Sequence, residues 1–316
     1  GLQQTLLLLA YIYDNPGSVL LLDEPDAHLE VLRQRHTFQL IREIAAEQGA
    51  QIIAASHSEV VLNEAASTGK LVAFIGRPHT LTDKPSQLIK ALTDIGWEHY
   101  YEAELKGWVL YVEDASDLLV LKELAKLLDH PASTALENSY VHYISTNVPV
   151  RAREHFFGLQ EAKPDLVGIA LFDRIDKPLQ SQRGLEEVMW SKREIENYFC
   201  RPEVLLRWVR HNGGRDLFAL AEADDAEPQM NRAVDEVAHA LQVLGKDPWG
   251  SEVKASEEVL DAIFRLYYQL VGSPIVFRKA QYFQLVPFLT PEEVDPEVSA
   301  VLDRILAVSK LARPPE

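Results

Sequence analysis

Short, uniformly apolar runs alternate with helical stretches along this chain, and that alternation restricts what it can fold into. Residues 18–22, 51–55, 71–75, 108–112, 140–144 and 166–172 each have strand length and lack the polar alternation of a strand with one wet face. Residues 1–13, 28–48, 116–128 and 150–160 carry helical periodicity, and Gly49 reads as a helix cap. Asp14-Asn15-Pro16-Gly17 reads as a turn. Strands that need cover on both faces, alternating with helices, predict an α/β protein with largely parallel sheets.

The pattern divides into domains. Residues 1–76 form a first α/β unit. Residues 77–107 are polar and aromatic and read as a linker with one helix, with a boundary near Lys106-Gly107. A second α/β pattern covers 108–205. Residues 206–316 read as mainly helical, with 213–256 irregular at its edges and acidic within. A length of 316 residues suits two or three such units.

The strongest local signal in the first unit is Ser18-Val19-Leu20-Leu21-Leu22-Asp23-Glu24-Pro25. An apolar strand ending in two acids is a Walker B element: Asp23 would hold the Mg²⁺ of a nucleotide and Glu24 would polarise the attacking water. Pro25-Asp26-Ala27-His28-Leu29 follows, and Ala55-Ser56-His57-Ser58 closes the next apolar strand. These residues resemble the Walker B, D-loop and switch histidine of ABC-type ATPases of the SMC, RecF and OLD group. Gly1-Leu2-Gln3-Gln4 resembles the end of their signature motif. The resemblance assigns nucleotide contacts to Asp23, Glu24 and His57. No G-x-x-x-x-G-K-[ST] loop occurs in the sequence, so the Walker A half is expected upstream, and ATP with Mg²⁺ is the expected cofactor of the intact protein.

The second unit repeats the strand-then-acid arrangement. Trp108 to Val112 leads into Glu113-Asp114-Ala115-Ser116-Asp117, which places Glu113 and Asp117 on one face of a helix start, with Asp114 or Ser116 as its cap. Carboxylates so placed repel unless a cation lies between them. Residues 166–172 deliver Asp173 to the same sheet edge, where ligands bind in open α/β folds, with Asp176 three residues on. Glu194 and Glu196 follow and would alternate in orientation in an extended segment.

Glu-x-x-x-Asp after one strand, Asp-x-x-Asp (Asp173 and Asp176) after a later one, and Glu-Ile-Glu-Asn-Tyr beyond resemble the Toprim domain of OLD nucleases. The resemblance implies a partial ABC-type ATPase sheet followed by a Rossmann-like Toprim domain and a helical region. It implies metal-dependent cleavage of DNA, a homodimer and a role in phage defence. Two hard cations, Mg²⁺ or Mn²⁺, ~3.5–4 Å apart would be held by Glu113, Asp117, Asp173, Asp176 and Glu196. Asp173 would be the central ligand and Glu113 would double as general base. OLD nucleases also carry a lysine that neutralises charge on the transferring phosphate; Phe277-Arg278-Lys279-Ala280-Gln281-Tyr282 assigns that role to Lys279. The sequence departs from the pattern twice. The usual second aspartate falls at Ile175, one residue before Asp176. The turn after the second strand reads Ser145-Thr146-Asn147 without glycine, so Asn147 is expected to take the positive φ.

Bulk properties limit the alternatives. A net charge of −17 argues against a broadly basic nucleic-acid surface, but carboxylates gathered around cations are compatible with nucleic-acid chemistry. Contacts to DNA would use clusters such as Arg201-Arg207-Arg210 or Arg278-Lys279. Hydrophobic residues at 47% and charged residues at 25% suit a globular protein. No apolar stretch reaches 18 residues and no signal peptide is read, so no membrane partner is expected. Cys200 is the sole cysteine, which excludes an internal disulfide and points to a cytoplasmic protein; beside Phe199 it reads as packing. Two rival functions stay open: a non-catalytic ATP-driven DNA clamp, and a Toprim primase or topoisomerase.

Overall fold

A computed structural model describes residues 2–25, 29, 31–66, 69–81, 86–176, 178–180, 183–212, 223–274 and 276–315. Gly1 and the Asp26-Ala27-His28 part of the second motif lie outside the described residues. The protein is α/β, with parallel sheets. It divides into two compact units: Gly1–Leu105 with Gly158–Pro164 and Pro314–Glu316, and Lys106–Phe157 with Asp165–Arg313. Among the described residues no helix is long and apolar enough to cross a membrane.

The first unit runs α1 (Leu2–Asp14), β1 (Val19–Asp23), α2 (Val31–Glu47), β2 (Gln51–Ala55) and α3 (Glu59–Ala66). β3 (Val72–Ala73), β4 (His79–Thr80), α4 (Ser86–Ile95) and α5 (Trp97–Lys106) follow. The turn before β1 uses Gly17 at φ 73°, a conformation open to glycine at no steric cost. β1 and β2 pair in parallel, from Val19 opposite Gln51 to Asp23 opposite Ala55. Leu20 packs on Ile12 of α1 and Ile41 of α2. The other face differs from the expected two-sided burial: Val19, Leu21 and Ile53 are 55%, 76% and 61% exposed. Two strands covered by helices on one side leave alternate side chains uncovered, however apolar the run.

The expected strand at 71–75 shortens to β3, because its antiparallel ladder with β4 has two pairs and Gly76 at φ 61° turns the chain. The stretch read as a linker with one helix carries two. Gly96 at φ 105° separates them, and α5 is tied to α3 by Trp97, whose backbone N–H donates to Glu59 at 3.0 Å and whose indole donates to Asn63 at 2.6 Å. The Tyr100 hydroxyl donates to Glu104 and meets His79, and Lys163 pairs with Glu104 at 3.3 Å.

The second unit runs β5 (Trp108–Val112), α6 (Ala115–Leu127), α7 (Ala132–Glu137), β6 (Tyr140–Tyr143), α8 (Pro149–Ala162), β7 (Val167–Phe172) and β8 (Leu185–Met189). All four strands are parallel, in the order β6-β5-β7-β8. Every residue of β5 is buried, as a central strand covered on both faces requires. Gly168 is needed at β7: a Cβ there would meet Val109 and the Phe156 ring at 3.0 Å. The sequence does not mark β8, because Leu185-Glu186-Glu187-Val188 spaces its apolar residues three apart, a helical interval. Tertiary pairing decides otherwise. Glu187, nearly fully buried, binds Arg153 of α8 at 2.5 and 2.6 Å.

A 3-10 turn (Ile195–Tyr198) leads to α9 (Pro202–Asn212) and α10 (Ala223–Val243), a long helix inside the acidic stretch, in the region read as mainly helical. A π-helical segment (Ala255–Leu260) opens α11 (Asp261–Leu270); a 3-10 segment (Lys279–Phe288) and α12 (Pro296–Leu311) complete the chain. Val298, Val301, Leu302, Ile305 and Val308 form one buried stripe along α12, at the spacing a helix needs to cover a sheet. Cys200 is buried.

Candidate functional site

The register of β1 on β2 brings Asp23, Glu24, Ser56 and His57 to one sheet edge in the first unit. The Glu24 backbone N–H donates to the Ala55 carbonyl at 2.9 Å, and its φ of 47° turns the side chain out of the strand's alternation. Glu24 Oε1 lies 2.8 Å from His57 Nδ1. Glu24 Oε2 is buried and has no hydrogen-bond partner among the described residues, so it keeps an acceptor for a water or ligand. Ser56 Oγ accepts the Ser58 N–H at 3.0 Å, and Ser58 Oγ donates to Gln34, which holds the loop before α3. Asp23, at the end of β1, is exposed.

The second unit gathers acids at the carboxyl edge of its sheet. Asp114 caps α6, accepting from the Ser116 N–H at 2.6 Å. Asp117 closes the capping box and accepts the backbone N–H groups of Glu113 at 3.1 Å and Asp114 at 3.3 Å. This local chemistry fixes Asp117 against the Glu113 backbone at the helix start, where the two charges act on one another. Burial, then the charges of Asp114 and Glu113, push Asp117 up to about 7, against the Asp114 N–H and Lys279, which lower it. At the end of β7, burial and the charges of Asp117, Glu194 and Glu113 push Asp173 up to about 8 despite Lys279. Glu196 is buried in the 3-10 turn and raised well above the carboxylate range by burial and by Glu194, Asp117 and Asp173.

Lys279 is the cation that faces these acids. It begins its 3-10 segment, with Nζ 3.8 Å from Glu196 Oε1. Burial alone would lower its ammonium, but Glu196, Glu194, Asp117 and Asp114 hold it above its ordinary value. Glu113, Asp117, Asp173, Glu196 and Lys279 therefore share one electrostatic environment.

Glu194 joins this group and was not assigned to it from the sequence. It is 1% exposed, and its carboxylate accepts the Ser256 backbone N–H and, at 3.1 Å, the Ser256 hydroxyl. The 3-10 turn, not an extended segment, sets Glu194 and Glu196 toward the same cluster, because a turn removes the strand's alternation. Ser256→Ala removes a hydrogen bond to a buried carboxylate and is expected to lower stability by about 1–3 kcal/mol in thermal melts; an unchanged melting temperature would show that Glu194 does not depend on it.

Other predicted residues fall elsewhere. Asp176 is exposed on the loop after β7, and its charge acts on Arg174; it does not figure among the acids raising Asp117, Asp173 or Glu196. One extra residue in the loop carries it out of the cluster. The positive φ expected at Asn147 is taken by Ser145, at 52°. Asn147 instead donates from Nδ2 to the Asp173 carbonyl at 3.1 Å, bracing the β7 exit from the neighbouring loop. Tyr198 is buried, with its hydroxyl donating to Glu297.

Residues 1–63 match the family described as "AAA domain, putative AbiEii toxin, Type IV TA system". No curated protein matches the chain. The amino-terminal segment, with its Asp23-Glu24 strand end and His57, is thus related to AAA-type ATPase domains, which use ATP with Mg²⁺.

Proposed function

We propose that this chain belongs to a metal-dependent DNA endonuclease or nickase of the Toprim, OLD-family kind, whose cleavage site is the acidic cluster of the second unit and whose ATPase segment regulates it. One observation carries the reading. Five carboxylates, Glu113, Asp117, Asp173, Glu194 and Glu196, converge with Lys279 at the carboxyl edge of a parallel sheet, and burial together with their mutual repulsion raises Asp117, Asp173 and Glu196. Acids gathered this closely, with Glu194 and Glu196 buried, are stable at neutral pH only with protons or cations among them.

The donor set fits a hard divalent cation, since it is all oxygen and lacks thiolates. Glu113, Asp117, Asp173 and Glu196 would hold Mg²⁺ or Mn²⁺; Asp176, exposed on its loop, is left out of this set. Bound there, a pair of such ions supplies an activated water and charge stabilisation on the attacking and leaving oxygens. Glu113, half-buried and within reach of the charge of Asp117, would serve as general base. Lys279 balances charge on the scissile phosphate, and Glu194, anchored on Ser256, keeps the Lys279 ammonium aimed inward. In the first unit, Asp23 and Glu24 would hold an ATP-bound Mg²⁺ and polarise water, with His57 orienting Glu24. A homodimer and a phage-defence role follow from the same resemblance.

The displacement of Asp176 favours one rival, a non-catalytic DNA clamp. Incubating supercoiled plasmid with the protein and Mg²⁺, Mn²⁺, Ca²⁺ or EDTA separates the two. Nicking or linearisation with Mg²⁺ or Mn²⁺, lost in EDTA, is the expected result. Intact plasmid under all conditions, also with the full-length protein and ATP, would sink the nuclease reading.

A further inference from the structure

Arg174 directly follows Asp173 at the end of β7, where the acidic cluster needs a partner for polyanionic substrate. Its guanidinium is held in place by protein atoms on two sides. Nη1 donates to the Ser191 carbonyl at 3.2 Å and to Glu252 at 2.7 Å, and Nη2 donates to the other Glu252 oxygen. Its backbone N–H donates to the Arg193 carbonyl at 3.2 Å. The side chain is 24% exposed and Glu252 is 78% exposed. This is the fork geometry with which arginine grips a planar or tetrahedral oxyanion, here occupied by an exposed carboxylate.

The loop bearing Glu252 is fastened to the same turn that carries Glu194 and Glu196. Asn197 donates to the carbonyls of Gly250 at 3.1 Å and Val253 at 2.9 Å, and the Arg193 N–H donates to Ser251 at 2.9 Å. The backbone on both sides of Glu252 is therefore fixed, while Glu252 itself projects into solvent. An exposed ion pair contributes little and is screened by salt, so a phosphate can replace the carboxylate at small cost. The Ser191 carbonyl still holds the guanidinium when Glu252 leaves.

We infer that Arg174 is a positioning residue for the phosphate backbone of duplex DNA, and that Glu252 occupies its guanidinium as a resident competitor until DNA displaces it. The inference rests on the nuclease reading above and adds a substrate contact and a brake to it. The two partners of one ion pair then have opposite effects on DNA. A merely structural pair would weaken the protein alike from either side.

The test measures duplex DNA binding in Ca²⁺, as a function of salt, and plasmid cleavage in Mg²⁺. Arg174→Ala is expected to weaken binding and raise KM roughly tenfold, with kcat within about threefold and the salt slope of binding reduced by about 1. Arg174→Lys restores part of the affinity. Glu252→Gln is expected to tighten binding about threefold or more at low salt, and the gain disappears in the Arg174→Ala background. If Arg174→Ala leaves KM and salt slope unchanged, or Glu252→Gln weakens binding, the inference fails while the nuclease reading stands. If the wild-type protein neither binds nor cuts DNA, both fall.

Discussion

Asp173→Asn is expected to lower metal-dependent cleavage by about three orders of magnitude or more and to raise the melting temperature of the metal-free protein. The loss follows from removing the central carboxylate of a site whose electrostatic stabilisation is worth several kcal/mol, at about 1.4 kcal/mol per factor of ten. The gain follows from the burial of the Asp173 carboxyl and from the repulsion it meets there. Asp173 has an ordinary value of 3.8 and is pushed to about 8 in the fold. Between pH about 4 and 8 the folded protein keeps a proton that the unfolded chain has released. Stability therefore falls as pH rises through that window, and is fully regained below it. Asp117, pushed to about 7, adds the same sign over a narrower range.

Asparagine removes the titration, so the variant should be about 1–2 kcal/mol more stable at pH 8 in EDTA, the usual size of a relieved functional strain. Its melting temperature should depend less on pH. Mg²⁺ should stabilise the wild type, by about 2.7 kcal/mol at a hundredfold excess over Kd, and stabilise the variant far less. A variant that cleaves DNA, or melts at the wild-type temperature across this pH range in EDTA, would contradict the assignment of Asp173.

Phe264→Ala is expected to cost about 3–5 kcal/mol, as large-to-small changes in a closed core do. Phe264 is fully buried in α11, with ring centroids 5.2 Å from Trp208, 4.8 Å from Phe277 and 5.8 Å from Tyr282. Phe277 and Tyr282 flank Lys279 in sequence, and the Tyr282 hydroxyl is bonded to Asp261 at the start of α11. The aromatic cluster thus sets the height at which Lys279 meets Glu196. Urea unfolding should show a lower midpoint with an unchanged slope. At a temperature where the variant remains folded, cleavage should fall through kcat, because the lysine loses its register. A loss below about 1 kcal/mol would mean that the aromatic neighbours close over the cavity.

What the sequence by itself determined is local or periodic. The uniform apolar run at 108–112 specifies a strand because little else buries five successive side chains, whereas the run at 51–55 pairs as a strand with most of its residues exposed. Asp114 and Asp117 specify a capping box because four residues suffice to make it. Acids that end a strand, Glu113 and Asp173, stand out for the same reason: the strand itself delivers them to an edge. What only the tertiary structure decided depends on partners distant in sequence. Leu185-Glu186-Glu187-Val188 becomes a strand because Arg153 neutralises a buried Glu187. Glu194 turns toward the cluster because Ser256, sixty-two residues away, binds its carboxylate. Lys279 meets Glu196 because α11 and its aromatic ring cluster carry it there. Asp176 stays in solvent because the loop after β7 has its own geometry. Sequence spacing encodes which side chains share a turn or a face; which faces meet depends on the burial of the whole core, and no local pattern records it.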